Sequence, residues 1–317
     1  MNNSIVGVWD MRHTSLTLGG LLLFLAELKV MAQLHKAKKS TICFLADTKA
    51  LDGVHVLAPH DLEKVPLFSV LKDVQGIDEF LRADSMDALY KYAKKRGEKP
   101  IYWPKPTNHK EESQLYGYNS TLRLQMTFLE QGHIPLVQIS PTLITWASQF
   151  LREHTSGKLP IAVHLKNNPS ALGDNNANMD EWFSFLVGAQ QYGNVVFILI
   201  GNESIDSRIT KISNVLVTKS FNLTLSQELS LIAEASGFIG MSSGPASMAI
   251  FSRTPYVIFH NSNQRPQALV KELGESNHFS FAAPGQKFLR CSDVSSSIMK
   301  EFAWLLPIAK ERYILQR

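Results

Sequence analysis

The chain has 317 residues, 44% of them apolar and 19% charged, with a formal net charge of +4. That length suits two domains, and that composition suits a globular chain with a sizeable core and excludes dominant disorder. The basic excess lacks the interleaved aromatics of a nucleic-acid surface, Cys43 and Cys291 form no disulfide or metal-ligand framework, and no window approaches the ~20 apolar residues that would span a bilayer.

Residues 4–9 read as a buried strand, 10–20 as a loop, 21–38 as a helix and 40–45 as a second strand, with Cys43 a core thiol. This order opens a doubly wound parallel sheet. Residues 54–57 suit a third strand. The stretch 62–97 has a helical pattern, clearest over 74–80 and 86–95. Residues 99–120, rich in Pro, Lys, His and Tyr, read as a long loop, and loops of that length usually carry function. A helix over 122–131 precedes a Pro- and Gly-bearing segment, 131–142, where the first domain ends.

The second half begins with a helix to about residue 154 and repeats the alternation more sharply. Strands are predicted at 159–165, 195–200, 215–217, 237–241 and 255–259, with helices at 180–191, 226–234 and 245–252. Unbroken apolar strands are what a parallel sheet covered on both faces requires. An amphipathic helix over 295–313 carries Trp304, Leu305 and Leu306 on its apolar side, with Pro307 predicted to kink or interrupt it. The fold class is therefore α/β, two Rossmann-like domains over residues 1–140 and 141–317, the last helix able to pack back on the first domain. The basic runs 35–39 and 91–96 read as solvated helix ends, and are also the kind of feature that attaches a protein peripherally to an anionic membrane. With no signal-peptide pattern at the N-terminus, a cytoplasmic location is the expectation.

The richest segment is 225–259. Its strand Phe238-Ile239-Gly240 ends in Ser242-Ser243-Gly244, and a helix starts at Pro245-Ala246. Serine caps a helix, proline suits its first turn, and the exposed N–H groups of a helix N-terminus suit a phosphate or diphosphate. Gly244 lets a ligand approach the backbone. A tight strand-to-helix turn with no ligand explains the same residues equally well. A second cluster, His164, Lys166 and Asn167, follows the strand 159–165, where cationic and amide side chains can hold phosphate oxygens or sugar hydroxyls. Gly201, Asn202 and Glu203 follow the strand 195–200, and Glu228 competes with Glu203 as an acceptor for hydroxyls. In the first domain, Asp10 and His13 share the loop after the first strand, and either is able to take a proton, His13 nearer neutral pH. Gly19 and Gly20 would let the following helix approach a phosphate-bearing group. No Walker A sequence and no G-x-G-x-x-G after the first strand is present.

Taken together, Ser226-Gln227-Glu228-Leu229, Ile232-Ala233, Phe238-Ile239-Gly240, Ser243-Gly244-Pro245-Ala246 with Ala249, and Thr254-Pro255 resemble the donor segment of GT-B glycosyltransferases, nearest to the heptosyltransferase type and more loosely to fucosyltransferases. The resemblance covers about forty residues. It implies two domains facing across a cleft, a nucleotide diphosphate-sugar donor on the Ser242–Gly244 turn, and transfer without a metal or other cofactor. It further implies that the loop at Gly201–Glu203 frames base or ribose, and that His164 and Lys166 stand where fucosyltransferase-like enzymes carry a His-x-Arg element. The acceptor it implies is a glycan or lipid-linked hydroxyl in surface-polysaccharide or glycolipid synthesis. Three positions depart from the heptosyltransferase pattern: Ser242 replaces an acidic residue, Ser247 a histidine, and Gly20 the aspartate that acts as base. These departures motivate two alternatives, a non-catalytic protein that binds a nucleotide sugar or glycan, and a nucleotide-sugar epimerase of the same fold.

Overall fold

A computed structural model describes residues 4–12, 15–46, 53–104, 119–168, 176–261 and 272–316. The chain divides into two compact units, Met1–Gln138 and Ile139–Arg317.

In the first unit the order is β1 (Ser4–Asp10), α1 (Leu18–Leu34), β2 (Lys39–Leu45), β3 (Val54–Val56), α2 (Pro59–Glu63), α3 (Pro66–Asp73), β4 (Glu79–Ala83), α4 (Met86–Lys95), β5 (Ile101–Trp103) and α5 (Asn119–Gln131). The sheet runs β3-β4-β2-β1-β5, parallel except for β3, which pairs antiparallel with β4. β1 is buried along its whole length, as its place beside the central β2 demands. Gly7 lets α1 lie close on it: a Cβ there would come within 2.8 Å of the Phe24 ring and 2.9 Å of Leu28. Cys43 is buried in β2, and that burial pushes its thiol up to about 12.

Three details of this unit differ from the sequence pattern. Residues 79–83 are a strand inside a stretch whose pattern is helical, because the parallel ladder to β2 buries Leu81 and Ala83. β5 lies inside the predicted long loop and adds an edge to β1. α1 starts at Leu18, since Thr17 caps it by accepting from the Gly20 N–H at 3.1 Å.

The second unit contains α6 (Pro141–Thr155), β6 (Leu159–His164), α7 (Met179–Gly188), β7 (Val195–Leu199), β8 (Val215–Val217), α8 (Leu225–Glu234), β9 (Gly237–Met241), α9 (Gly244–Ile250), β10 (Tyr256–Phe259), β11 (Gln286–Leu289) and α10 (Ser295–Leu315). Its six strands are parallel in the order β11-β10-β9-β6-β7-β8. Trp182, Phe185, Phe197 and Phe302 form an edge-to-face aromatic cluster in the core. α10 continues through position 307 without ending there. Phe302, Leu305, Leu306 and Ala309 are buried in this unit's core, and that packing offsets the hydrogen bond lost at the proline. The helix lies against α7 and strands β6, β9 and β10 of its own unit.

The chain leaves β6 toward β7 and β8, then returns to lay β9, β10 and β11 on the other side of β6. The reversal puts a topological switch between β6 and β9. In open parallel sheets a ligand crevice forms at the carboxyl ends of the strands at such a point.

Candidate functional site

The residues at that crevice are fixed by close backbone packing. His164 ends β6 opposite Gly240 of β9, and a Cβ on Gly240 would lie 2.5 Å from the His164 carbonyl oxygen. Glycine is therefore what lets the two strands meet there. His164 is 1% exposed, and its Nε2 lies 3.0 Å from the Glu203 carboxylate. Its Nδ1 is buried with no hydrogen-bond partner among the described residues.

The loop after β7 turns at Gly201, whose φ of +109° lies in the region that favours glycine. A side chain at 201 would also collide with Glu203 and His164. The loop is fastened from several sides. The Gly201 N–H donates to Glu228 Oε1 at 3.0 Å, and Thr218 Oγ1 donates to the same oxygen at 2.8 Å. Lys219 Nζ donates to the Asn202 carbonyl at 3.0 Å, and Asn167 Nδ2 donates to that of Ser204 at 2.6 Å. Burial works against ionisation of Glu203, but the hydrogen bond and charge of His164, with help from Lys219, outweigh it and hold the carboxyl below its usual range. Burial lowers the pKa of the neighbouring Lys166 ammonium, and the Glu203 charge partly offsets that.

His164, Asn167, Gly201, Asn202, Glu203 and Glu228 are thus brought together, with Lys166 beside them. Glu228, 5% exposed, is a buried clamp on the loop as well as an acceptor. Thr218 and Lys219 belong to the same cluster although the sequence pattern marks only the strand before them. The signal available was a Thr-Lys pair at the carboxyl end of β8, next to β7.

The Ser242–Gly244 turn begins two residues beyond the Gly240–His164 pair. Ser243 is the N-cap of α9, and its Oγ accepts from the Ala246 N–H at 3.3 Å. Ser247 Oγ donates back to the Ser243 carbonyl, and the Ser242 N–H donates to that of Phe259. Pro245 has no N–H, so the donor of the first turn that neither proline nor capping removes is that of Gly244. Lys166 and Lys219 are the cations whose charge acts at Glu203. Among the described residues no group of three or more His, Cys, Asp or Glu side chains is placed to hold a metal. No helix among them is long and apolar enough to cross a membrane.

In the first unit, Asp10 ends β1 and is buried. It is gripped by Arg12: the backbone N–H donates to Oδ1 at 3.1 Å, Nε to Oδ1 at 2.8 Å, and Nη2 to Oδ2 at 2.6 Å. A carboxylate engaged by a guanidinium fork is a weaker base than a free one. His13 lies outside the described residues. Gly19 and Gly20 sit in the first turn of α1 behind the Thr17 cap.

No protein-family model and no curated protein matches the chain. Solved structures do. The chain is similar to a glycosyl transferase family 9 protein from Veillonella parvula, at 14% identity over 98% of this chain and 97% of that one, with a TM-score of 0.56. Escherichia coli ADP-heptose lps heptosyltransferase II matches at 11% identity over 98% and 100%, TM-score 0.59. Escherichia coli heptosyltransferase WaaC with ADP matches at 11% over 98% and 99%, TM-score 0.52. At such identities the likeness shows the fold, two Rossmann-like domains of the GT-B class.

Proposed function

We propose that this chain is a glycosyltransferase that moves a sugar from a nucleotide diphosphate-sugar to a hydroxyl acceptor, without a metal ion and with inversion. The observation that carries the reading is the crevice between β6 and β9. There the buried His164 bonds to Glu203 and ends β6 opposite Gly240, two residues before the Ser242–Gly244 turn, while the Glu228 clamp holds the loop that starts at Gly201. Such a set offers acceptors for ribose hydroxyls and cations for a diphosphate within one rigid frame. Two of the similar structures bear the name heptosyltransferase, and one of those holds ADP.

In the single displacement we envisage, the acceptor oxygen attacks the anomeric carbon as the bond to the diphosphate breaks. The departing charge falls on Lys166, Lys219 and the Gly244 N–H, which supply electrostatically what a metal otherwise would. Asp10 or His13 takes the acceptor proton. For Asp10 this requires that Arg12 release part of its grip. The acceptor is a glycan or lipid-linked hydroxyl of surface-polysaccharide or glycolipid synthesis, reached by a protein attached peripherally at most. The Asp10–Arg12 pair also supports a second reading, a nucleotide-sugar-binding protein that does not transfer.

The first test is a thermal-shift screen against UDP, GDP, ADP, CMP and their sugar conjugates in the presence of a chelator. Selective stabilisation by one diphosphate family, lost in Gly244→Arg, supports the donor site. No shift with any of them at millimolar concentration overturns it. Release of nucleoside diphosphate only when an acceptor extract is added separates transfer from mere binding.

A further inference from the structure

The opposite, amino-terminal end of the second sheet's strands carries a cleft of about 440 Å³, within the range of small-ligand sites. Its walls come from α6, the residues entering β6, the end of α8 and the end of α10. Pro160, at its base, precedes His164 by four strand residues, roughly 13 Å at the usual strand rise. The cleft therefore has no part in the crevice between β6 and β9, and its chemistry is independent of the proposed donor site.

The chemistry of its lining is specific. The Arg152 side chain makes no hydrogen bond or ion pair among the described residues, so its planar fork of donors is available. Glu234 accepts from Ser148 Oγ at 2.8 Å through Oε2, and its backbone carbonyl accepts from Gln316 Nε2 at 3.2 Å. Tyr313 donates its hydroxyl to the Gly157 carbonyl at 2.8 Å, which anchors the ring in the wall. Leu151 supplies buried apolar surface. The lining carries one charge of each sign, Arg152 and Glu234, with the Arg312 guanidinium also acting on Glu234, so a simple cation is not favoured.

A ligand matching this set presents adjacent groups that both donate and accept, together with an apolar face. Vicinal hydroxyls on a pyranose ring have that property: they bond to planar Arg, Glu and Gln groups on their edge, while the C–H face covers an aromatic ring. We propose that the cleft formed by Ser148, Arg152, Glu234, Tyr313 and Gln316 is a saccharide-binding site that takes a neutral pyranose unit, separate from the crevice between β6 and β9.

Saturation-transfer NMR on the full chain, with methyl glycosides of glucose, mannose and galactose at millimolar concentration, tests this. Transfer from at least one glycoside is expected, weakened roughly tenfold or more in both Arg152→Ala and Glu234→Gln, the cost of losing a hydrogen bond to a charged group. It is expected to persist unchanged in Gly244→Arg. Arg152→Ala removes no hydrogen bond seen in the fold, and Glu234→Gln keeps an acceptor for Ser148, so both variants should melt as the parent does. Absence of transfer from all three glycosides overturns the proposal, as does transfer that survives in either cleft variant or is lost in Gly244→Arg. Binding of inorganic phosphate that Arg152→Ala abolishes, with no glycoside signal, overturns it in favour of an anion site.

Discussion

At the scale of single residues, the candidate site depends on a few positions whose neighbours leave no alternative. Gly201→Ala places a methyl group against Glu203 and His164 on a backbone that disfavours any side chain. We expect it to cost ~1–3 kcal/mol and to weaken nucleotide binding by more than its loss of stability, because the loop itself must move; paired melting and titration curves would show both. Glu228→Ala strands the Gly201 N–H and the Thr218 hydroxyl in a buried place, at a cost of about 2–4 kcal/mol in urea unfolding, whereas Glu228→Gln keeps an acceptor oxygen and should lose much less. Glu203 carries a pH signature. Its pKa is depressed in the fold, so its contribution is fully present above the unfolded carboxylate value and is lost as pH falls through the lower folded value, that is, below about pH 4. Melting temperatures taken downward from neutral pH should fall more steeply in the parent than in Glu203→Gln; parallel curves would remove the His164–Glu203 pair as a stabilising contact. These side chains stand out in the sequence because they follow apolar strands. Their bonding to one another was not legible, since it depends on which strand ends lie adjacent. The Arg12 grip on Asp10 was missed for a different reason: a carboxylate two residues from an arginine is as often solvated as paired.

Among the elements, legibility followed burial. β6, β7, β9 and β10 are covered on both faces and read as unbroken apolar runs, so their ranges in the sequence and in the structure agree within a residue or two. β4, β5 and β11 lie toward the edges of their sheets or are half-exposed, and their mixed patterns resemble turn or helix. The tertiary ladder, not local propensity, makes them strands. α1 gives an element-scale prediction. Lys29 is half-buried on this helix and donates to the Leu136 carbonyl at 3.3 Å, and burial lowers its pKa to about 8. The folded state therefore holds fewer protons than the unfolded state between about pH 8 and pH 10, and this group's share of stability rises through that window. Relative to Lys29→Met, the parent should gain on the order of 1–2 kcal/mol across it, after allowance for partial exposure. Urea midpoints at stepped pH measure the difference, and a constant offset between the two proteins would show that the ammonium is not desolvated.

For the whole molecule, the division at Gln138–Ile139 separates the two halves of the proposed reaction. Every residue of the crevice between β6 and β9 belongs to the second unit, as does its six-stranded sheet with the cluster of Trp182, Phe185, Phe197 and Phe302 beneath it. Asp10, Gly19 and Gly20 belong to the first. A fragment of residues 139–317 retains its full complement of strands and the helix α10 that closes its core, and buries a core of the size that domains of this length need to fold alone. We therefore expect that fragment to unfold in one cooperative transition and to bind the same nucleotide diphosphate as the full chain, with affinity within about tenfold. It should transfer no sugar, because the groups that would receive the acceptor are missing. Calorimetric titration of fragment and full chain, alongside a transfer assay, tests both halves of the expectation. A fragment that folds but does not bind would mean that the first unit supplies part of the donor site, and a nucleotide then has to be placed against both units. A fragment that binds as the full chain does confines donor recognition to the sheet whose switch point first marked the crevice.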